Sequence, residues 1–218
     1  MKRLSFALVT LSLVASTAAA QSTADATLTR AVKAWAKVQT LRASVEQTIV
    51  NPLTGRAVTS RGEVQQRRPG QFAVRFTDPA GDVIVSDGRT VWLYLPSTTP
   101  GQVIRSTLGE EGAGALDLTE QFLAQPRSKY DVVDAGAEPV DGRRTHALRL
   151  TPKAGQSMPF VRAKVWVDDR DGLIRQFEST DQSGITRKVK LTKVTPNAAV
   201  KSSAFRFTVP SGARVVDR

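Results

Sequence analysis

Across 218 residues the chain carries 31 Lys and Arg against 20 Asp and Glu, a formal net charge of +11, with no cysteine and a single histidine. That length fits one domain, or at most two. Lack of cysteine excludes a disulfide framework, a thiol nucleophile and a lipid anchor on the chain itself.

The N-terminus, "MKRLSFALVTLSLVASTAAAQ", has a basic start at Lys2 and Arg3, an apolar stretch from Leu4 to Ala15 and a small-residue end. Ala18 and Ala20 fit the A-x-A rule, so residues 1–20 are expected to be a secretory signal cleaved before Gln21. The apolar stretch is too short to span a bilayer. The remainder, 21–218, is expected to form one exported domain, since no linker rich in Gly, Ser or Pro divides it.

In "STADATLTRAVKAWAKVQTL", Leu28, Val32 and Trp35 have helical spacing, with Ser22 or Thr23 as the expected cap. The period then changes to two. Leu41, Ala43, Val45 and Ile49 share a face, with Gln47 the exception, and "AVTSRGEVQQ" returns after the turn "NPLTGR". After Pro69, Phe72, Val74 and Phe76 alternate with Gln71, Ala73 and Arg75. "VIVSDGRTVWLYL" is a second hairpin around a Ser-Asp-Gly turn. Its phase stays open: either Trp92 and Tyr94 or Val91 and Leu93 face inward.

The stretch "GEEGAGALDLTEQFLAQP" breaks the pattern. Leu116, Glu120 and Leu123 have helical spacing, as do Leu118, Phe122 and Gln125, and Pro126 is expected to end the helix. "KYDVVDAGAE", "RTHALRLTP", "VRAKVWVDD", "LIRQFESTD" and "ITRKVKLTKV" then read as strands joined by short turns, which implies antiparallel pairing. In the last of these, Arg187, Val189 and Leu191 share one face, opposite the basic Lys188 and Lys190. The expectation is a mainly β fold with helices (α+β): a curved antiparallel sheet of about 11 strands with helices on its concave side.

Catalytic chemistry finds little support. His146 stands alone on a strand, where a structural or surface role is expected. "DDRDG", from Asp168 to Gly172, lacks the spacing and distal glutamate of a calcium loop and reads as a polar turn. Glu110 and Glu111, on glycine-rich backbone, read as solvated charges. No metal, no cofactor and no enzymatic activity are expected. The basic strand faces fit a solvated sheet surface better than a polyanion site, and export disfavours nucleic acid. A sheet so long, covered by few helices, either encloses an apolar hollow suited to an acyl chain or packs as a dry core; periodicity does not choose between them.

The run "GEVQQRRPGQFAVRFTDPAGDVIVSDGRTVWLYLP", with Arg67, Arg68, Pro69, Phe72, Pro79, Ser86, Asp87, Gly88, Trp92 and Tyr94, resembles the periplasmic outer-membrane lipoprotein carriers of the LolA family, as does the ending "AFRFTVPSGARVVD". The resemblance implies an incomplete antiparallel β-barrel with a helical lid. It implies a chaperone that takes triacylated lipoproteins from an inner-membrane ABC-type lipoprotein-releasing complex and hands them to an outer-membrane acceptor lipoprotein. Absence of cysteine rules out the acceptor role here. A monomer is expected. The alternative is an envelope sensor, or a lipid- or polyanion-binding module of the same fold. By the resemblance, Arg68 is the lid latch and Phe72 lines the cavity, joined by Val74 and Phe76 on the same strand face. Val83, Val85, Trp92, Leu116, Phe122 and Leu123 are the further candidate lining residues. Arg67 is expected to be a solvated neighbour. The family commonly has a further aromatic on the strand after the Phe, where this chain has Val74.

Overall fold

The computed structural model describes residues 12–108 and 119–217; Glu110, Glu111, Leu116 and Leu118 lie outside them. The chain opens with helix α1 (Ser12–Ala36) and continues through β1 (Thr40–Val50), β2 (Ala57–Arg67), β3 (Gln71–Asp78), β4 (Ala80–Asp87), β5 (Thr90–Tyr94) and β6 (Gln102–Thr107). A π-helical turn (Thr119–Leu123) and α2 (Pro126–Lys129) follow. Then come β7 (Tyr130–Ala137), β8 (Thr145–Pro152), β9 (Arg162–Asp168), β10 (Ile174–Thr180) and β11 (Thr186–Pro196), a 3-10 turn (Ser202–Phe205) and β12 (Arg214–Asp217). All twelve strands form one sheet in the order β12-β6-β5-β4-β3-β2-β1-β11-β10-β9-β8-β7. β7 and β12 are unjoined edges, so the sheet is an open half-barrel.

Three local expectations need correction. No cap forms at Ser22 or Thr23, because α1 runs through them from Ser12; the alanine-rich stretch before them is a strong helix former. Pro126 does not end a helix but opens α2, with the break one residue earlier at Gln125, whose φ is 50°; a proline is tolerated at a first helical position, where its missing N–H has no intrahelical partner. A twelfth strand adds to the expected set: β12 runs parallel to β6, Arg214 opposite Gln102 and Asp217 opposite Arg105. An Arg105–Asp217 ion pair of 2.6 Å closes its end. Four residues distant in sequence from their partner carry no hairpin signal.

The hairpins follow their turn chemistry. Between β4 and β5, Asp87 Oδ1 accepts the N–H groups of Arg89 and Thr90, both at 2.8 Å. Gly88 adopts φ +100° there, a region that L side chains rarely enter. Gly62 serves differently. A Cβ on it would stand 2.2 Å from the Arg75 carbonyl oxygen, so glycine lets β3 approach β2 where their register shifts.

The two sheet faces are covered by different material. On the concave side α1 lies across β7 and β8 and buries Ala24, Leu28, Ala31 and Trp35 in one cluster with Val45, Val74, Leu148, Val165, Phe177 and Val189. On the convex side, β1, β2 and β11 present charges in matched register. Lys190, Glu46 and Arg61 lie side by side, with Glu46 at 3.2 Å from Lys190 and 3.0 Å from Arg61. The Lys190 and Arg61 bonds hold the Glu46 carboxyl below its usual range.

Farther along the convex side the sheet is not solvated. Ala73 and Val85 pack with Phe205, and the Trp92 and Tyr94 rings each lie 6.2 Å from Phe207. Arg67, expected to be solvated, ties this segment down. It donates to the Val200 carbonyl and, at 3.0 Å, to Ser202 Oγ, and its guanidinium lies 5.3 Å from the Phe205 ring centre. Arg75 adds a 3.0 Å bond to the Ala204 carbonyl.

Candidate functional site

Register decides which apolar residues share the concave face. Val74 lies opposite Ile84, which lies opposite Leu93. Phe72 is fully buried and packs with Val91, Ile84, Leu93 and Leu108. Ile84 also touches the main cluster, which contains Val74, Phe76, Phe122 and Leu123. The open phase of the hairpin is thereby resolved: Val91 and Leu93 face inward. Val83, Val85 and Trp92 do not share the Phe72 face, because Val83 pairs with Arg75 and Val85 with Ala73 and Trp92. They lie on the convex side, where Val85 packs with Phe205 and Trp92 with Phe207. Leu116 is outside the described residues. Sequence reasoning held Val91 and Leu93 only as one of two phases and missed Ile84. The available signal was the unbroken apolar runs "FAV" and "VIV", which mark strands buried on both faces.

Arg68 sits in the turn between β2 and β3, after the last paired residue of β2 and just before Pro69. Its Nη1 donates to the carbonyls of Trp35, at 3.0 Å, and Val38, at 3.3 Å. Its own backbone N–H donates to Gln39 at 2.9 Å. These carbonyls lie at the end of α1, where acceptors lack intrahelical donors and a cation meets the negative end of the helix dipole. Arg68 thus joins the turn before Phe72 to the helix over the concave face.

The rest of the cover comes from Thr119–Leu123. Phe122 is fully buried, 5.3 Å from the Phe177 ring and 5.8 Å from Phe160. The Tyr130 hydroxyl, from edge strand β7, donates to the Gln121 carbonyl. Arg127 of α2 reaches back to α1 through Asp25 at 2.8 Å. Burying a side chain such as Phe122 or Leu123 stabilises this arrangement by about 1.5–3 kcal/mol, and a buried methylene contributes about 0.8.

The polar residues considered for catalysis are structural. His146 Nε2 lies 2.5 Å from Asp134 Oδ1, one strand over. Asp168 is buried and holds its own turn, accepting from the Arg170 N–H at 2.8 Å, from Arg175 at 3.0 Å and from Arg143. Burial opposes its ionisation, but the Arg143 guanidinium, the Arg170 N–H and Arg175 outweigh it and hold the carboxyl at about 2. Both oxygens are engaged by donors rather than offered to a cation. Among the described residues no group of three His, Asp or Glu could hold a metal ion.

Comparison with known proteins gives these features a setting. Two solved structures share the fold: an uncharacterized conserved protein from Thermus thermophilus, 17% identical with a TM-score of 0.55, covers 90% of this chain and 99% of its own. MucB in the Pseudomonas aeruginosa MucA/MucB complex, 18% identical with a TM-score of 0.51, covers 89% of this chain and 63% of its own. An outer-membrane lipoprotein carrier protein of Serratia proteamaculans is 31% identical over 184 residues, covering 84% of each chain. Its counterpart in Dechloromonas aromatica is 27% identical, over 82% of this chain and 81% of its own. The family model for the outer membrane lipoprotein carrier protein LolA matches residues 36–208, from the last turn of α1 to beyond the segment anchored by Arg67 and Arg75, and the chain belongs to that family.

Proposed function

We propose that the protein carries outer-membrane lipoproteins through the periplasm, holding their acyl chains against the concave face without catalysing a reaction. The observation that carries this reading is the nature of the concave cover. Phe122 and Leu123 sit on a single turn, and α1 is tied to the sheet beside Phe72 by the two Arg68 bonds. Such a cover can lift as a unit, and acyl methylenes can take the places of its side chains at nearly equal free energy. That balance suits a carrier, which must release what it binds. Export rests on the expected signal at 1–20; among the described residues no helix is long and apolar enough to cross a membrane.

In this reading Arg68 is the latch, Phe72, Val74 and Phe76 the floor, and Phe122 and Leu123 the lid. The donor is an inner-membrane ABC-type releasing complex and the recipient an outer-membrane acceptor lipoprotein. Intact mass spectrometry of protein gently purified from the periplasm tests it, with co-purifying lipoprotein as the expected result. Protein that is clean of lipid, and that takes up no lipoprotein from a loaded transporter, overturns it. The polyanion-binding alternative draws less support, because convex lysines are matched by acids: Lys190 by Glu46, Lys188 by Glu178 at 3.0 Å and Lys164 by Glu138 at 2.5 Å.

A further inference from the structure

Arg187 is out of place by the pattern of its own strand. β11 alternates, and Val189 and Leu191, on the same face, are buried in the concave cluster. Register sets Arg187 between Ile49 of β1 and Ser179 of β10. It lines a small hollow of about 130 Å³ together with Gln121, Ser179 and Asp181 and the rings of Phe160 and Phe177. Among the described residues the Arg187 side chain makes no hydrogen bond or ion pair. Gln121 Oε1, from the lid turn, is buried there without a donor. A guanidinium offers five donors and an amide oxygen is an acceptor. The hollow therefore holds both halves of a hydrogen-bonding site that the protein itself leaves unfilled.

We infer that Arg187 and Gln121 form a polar subsite for a neutral acyl carbonyl, the ester or amide linkage from which a lipid's hydrocarbon chain starts. The inference rests on the carrier reading and deepens it. Charge argues for a neutral group. Burial pushes the Arg187 guanidinium down from its usual range while the Asp181 charge acts against that shift. The Asp181 carboxyl is itself held low, first by the Ser183 hydroxyl bond, so the lining already carries one cation and one anion, though the two are not ion-paired. A carboxylate or phosphate would add an uncompensated charge. A carbonyl oxygen accepts from Arg187 at no such cost. An amide also offers an N–H to Gln121 Oε1, which an ester does not. The volume, roughly that of four waters at ~30 Å³ each, suits a linkage group and not a whole chain. The adjoining Phe177 belongs to the apolar cluster along which the chain would run.

The test is titration calorimetry of the full-length exported protein with four probes: N-methyldecanamide, methyl decanoate, decanoate and decane. Wild type is expected to bind the amide best, then the ester. Arg187→Met is expected to weaken the amide and ester by about tenfold, since bonds to a charged donor are worth that or more, and to leave decane unchanged. Gln121→Leu should erase the preference for amide over ester without harming the ester, which keeps the inference testable if the Arg187 variant folds poorly. Equal losses for all four probes, or no loss, overturn it, as does an Arg187-dependent preference for decanoate. If wild type binds none of the probes, the carrier reading falls as well. If wild type binds them and Arg187→Met matches it, the subsite alone falls.

Discussion

The two sides of β3, β4 and β5 make a useful contrast. Both are apolar and both are covered. On the concave side Val74, Phe76 and Ile84 lie in the cluster with α1 and the turn of Phe122, and Phe72 and Val91 adjoin it through Ile84. On the convex side Ala73 and Val85 lie under a C-terminal segment fastened by Arg67, Arg75 and two ring contacts. The convex cover is fixed at several backbone and side-chain points along its length. On the concave side α1 and its end are held by Arg68 to the sheet turn, by Arg30 to Asp169 at 3.2 Å and by a bond from Asn197 to the Lys37 carbonyl at 3.2 Å, whereas the turn that carries Phe122 is tied to β7 by the Tyr130 bond. In the carrier reading proposed above, the exchangeable part of the concave cover is the Thr119–Leu123 turn, while the convex segment is a permanent cover.

The sharpest break in that contrast should come from Phe72→Glu. An unpaired carboxylate in a fully buried site is costly enough that loading of a triacylated lipopeptide is expected to be lost, by 100-fold or more in roughly the range set by about 3 kcal/mol. Phe72→Leu, which keeps the apolar character, should retain loading, and circular dichroism on both separates loading from folding. Phe205→Ala, on the opposite face, should cost about 3–4 kcal/mol in urea unfolding while the lipid bound per folded molecule stays as in wild type. If Phe205→Ala abolishes loading, the two sides are not functionally distinct.

A reference that belongs to neither cover is the Asp168 cluster. Its folded carboxyl lies at about 2 against an ordinary 3.8, so its stabilisation is complete above about pH 4 and is lost as pH falls through about 2. Linkage puts the loss at about 2 kcal/mol. Asp168→Asn should remove this acid dependence in denaturant melts across that window. An unchanged slope would mean that Arg143 and Arg175 do not act on Asp168 as the geometry implies. The smallest effect is expected from Arg68→Leu. Losing its bonds should weaken closure by about 1–1.5 kcal/mol, seen as faster amide exchange in Thr119–Leu123 and the end of α1, with the convex segment unchanged. Uniform acceleration in both covers would remove the latch role.

Alternation in β3 put Phe72, Val74 and Phe76 on one face, and the turn residues after Asp82 marked a hairpin, all from local pattern. What local pattern could not do was choose a partner for each face. Val83, Val85 and Trp92 are as apolar as Ile84, Val91 and Leu93, and a strand with both faces apolar carries no internal mark of which one is concave. Arg67 and Arg68 are identical side chains in adjacent positions, yet one anchors the C-terminal segment and the other grips α1. Arg187 could be placed on the Val189 face by counting, but its lack of a partner emerges only once Gln121 and Phe160 close over it.

The amino-acid sequence by itself determined most of the strands, the turns, the early helix and a curved antiparallel sheet, because these depend on side-chain period and on turn residues within a few positions of one another; the incomplete barrel was what the family resemblance implied. Tertiary structure decided which apolar face is concave and which is convex, which arginine bonds the end of α1 and which the C-terminal segment, and the parallel seat of β12 against β6. Those outcomes depend on segments that are distant in the chain, 33 residues apart for Arg68 with Trp35, 135 for Arg67 with Ser202 and 112 for Arg105 with Asp217, and no local spacing encodes which distant segment will arrive.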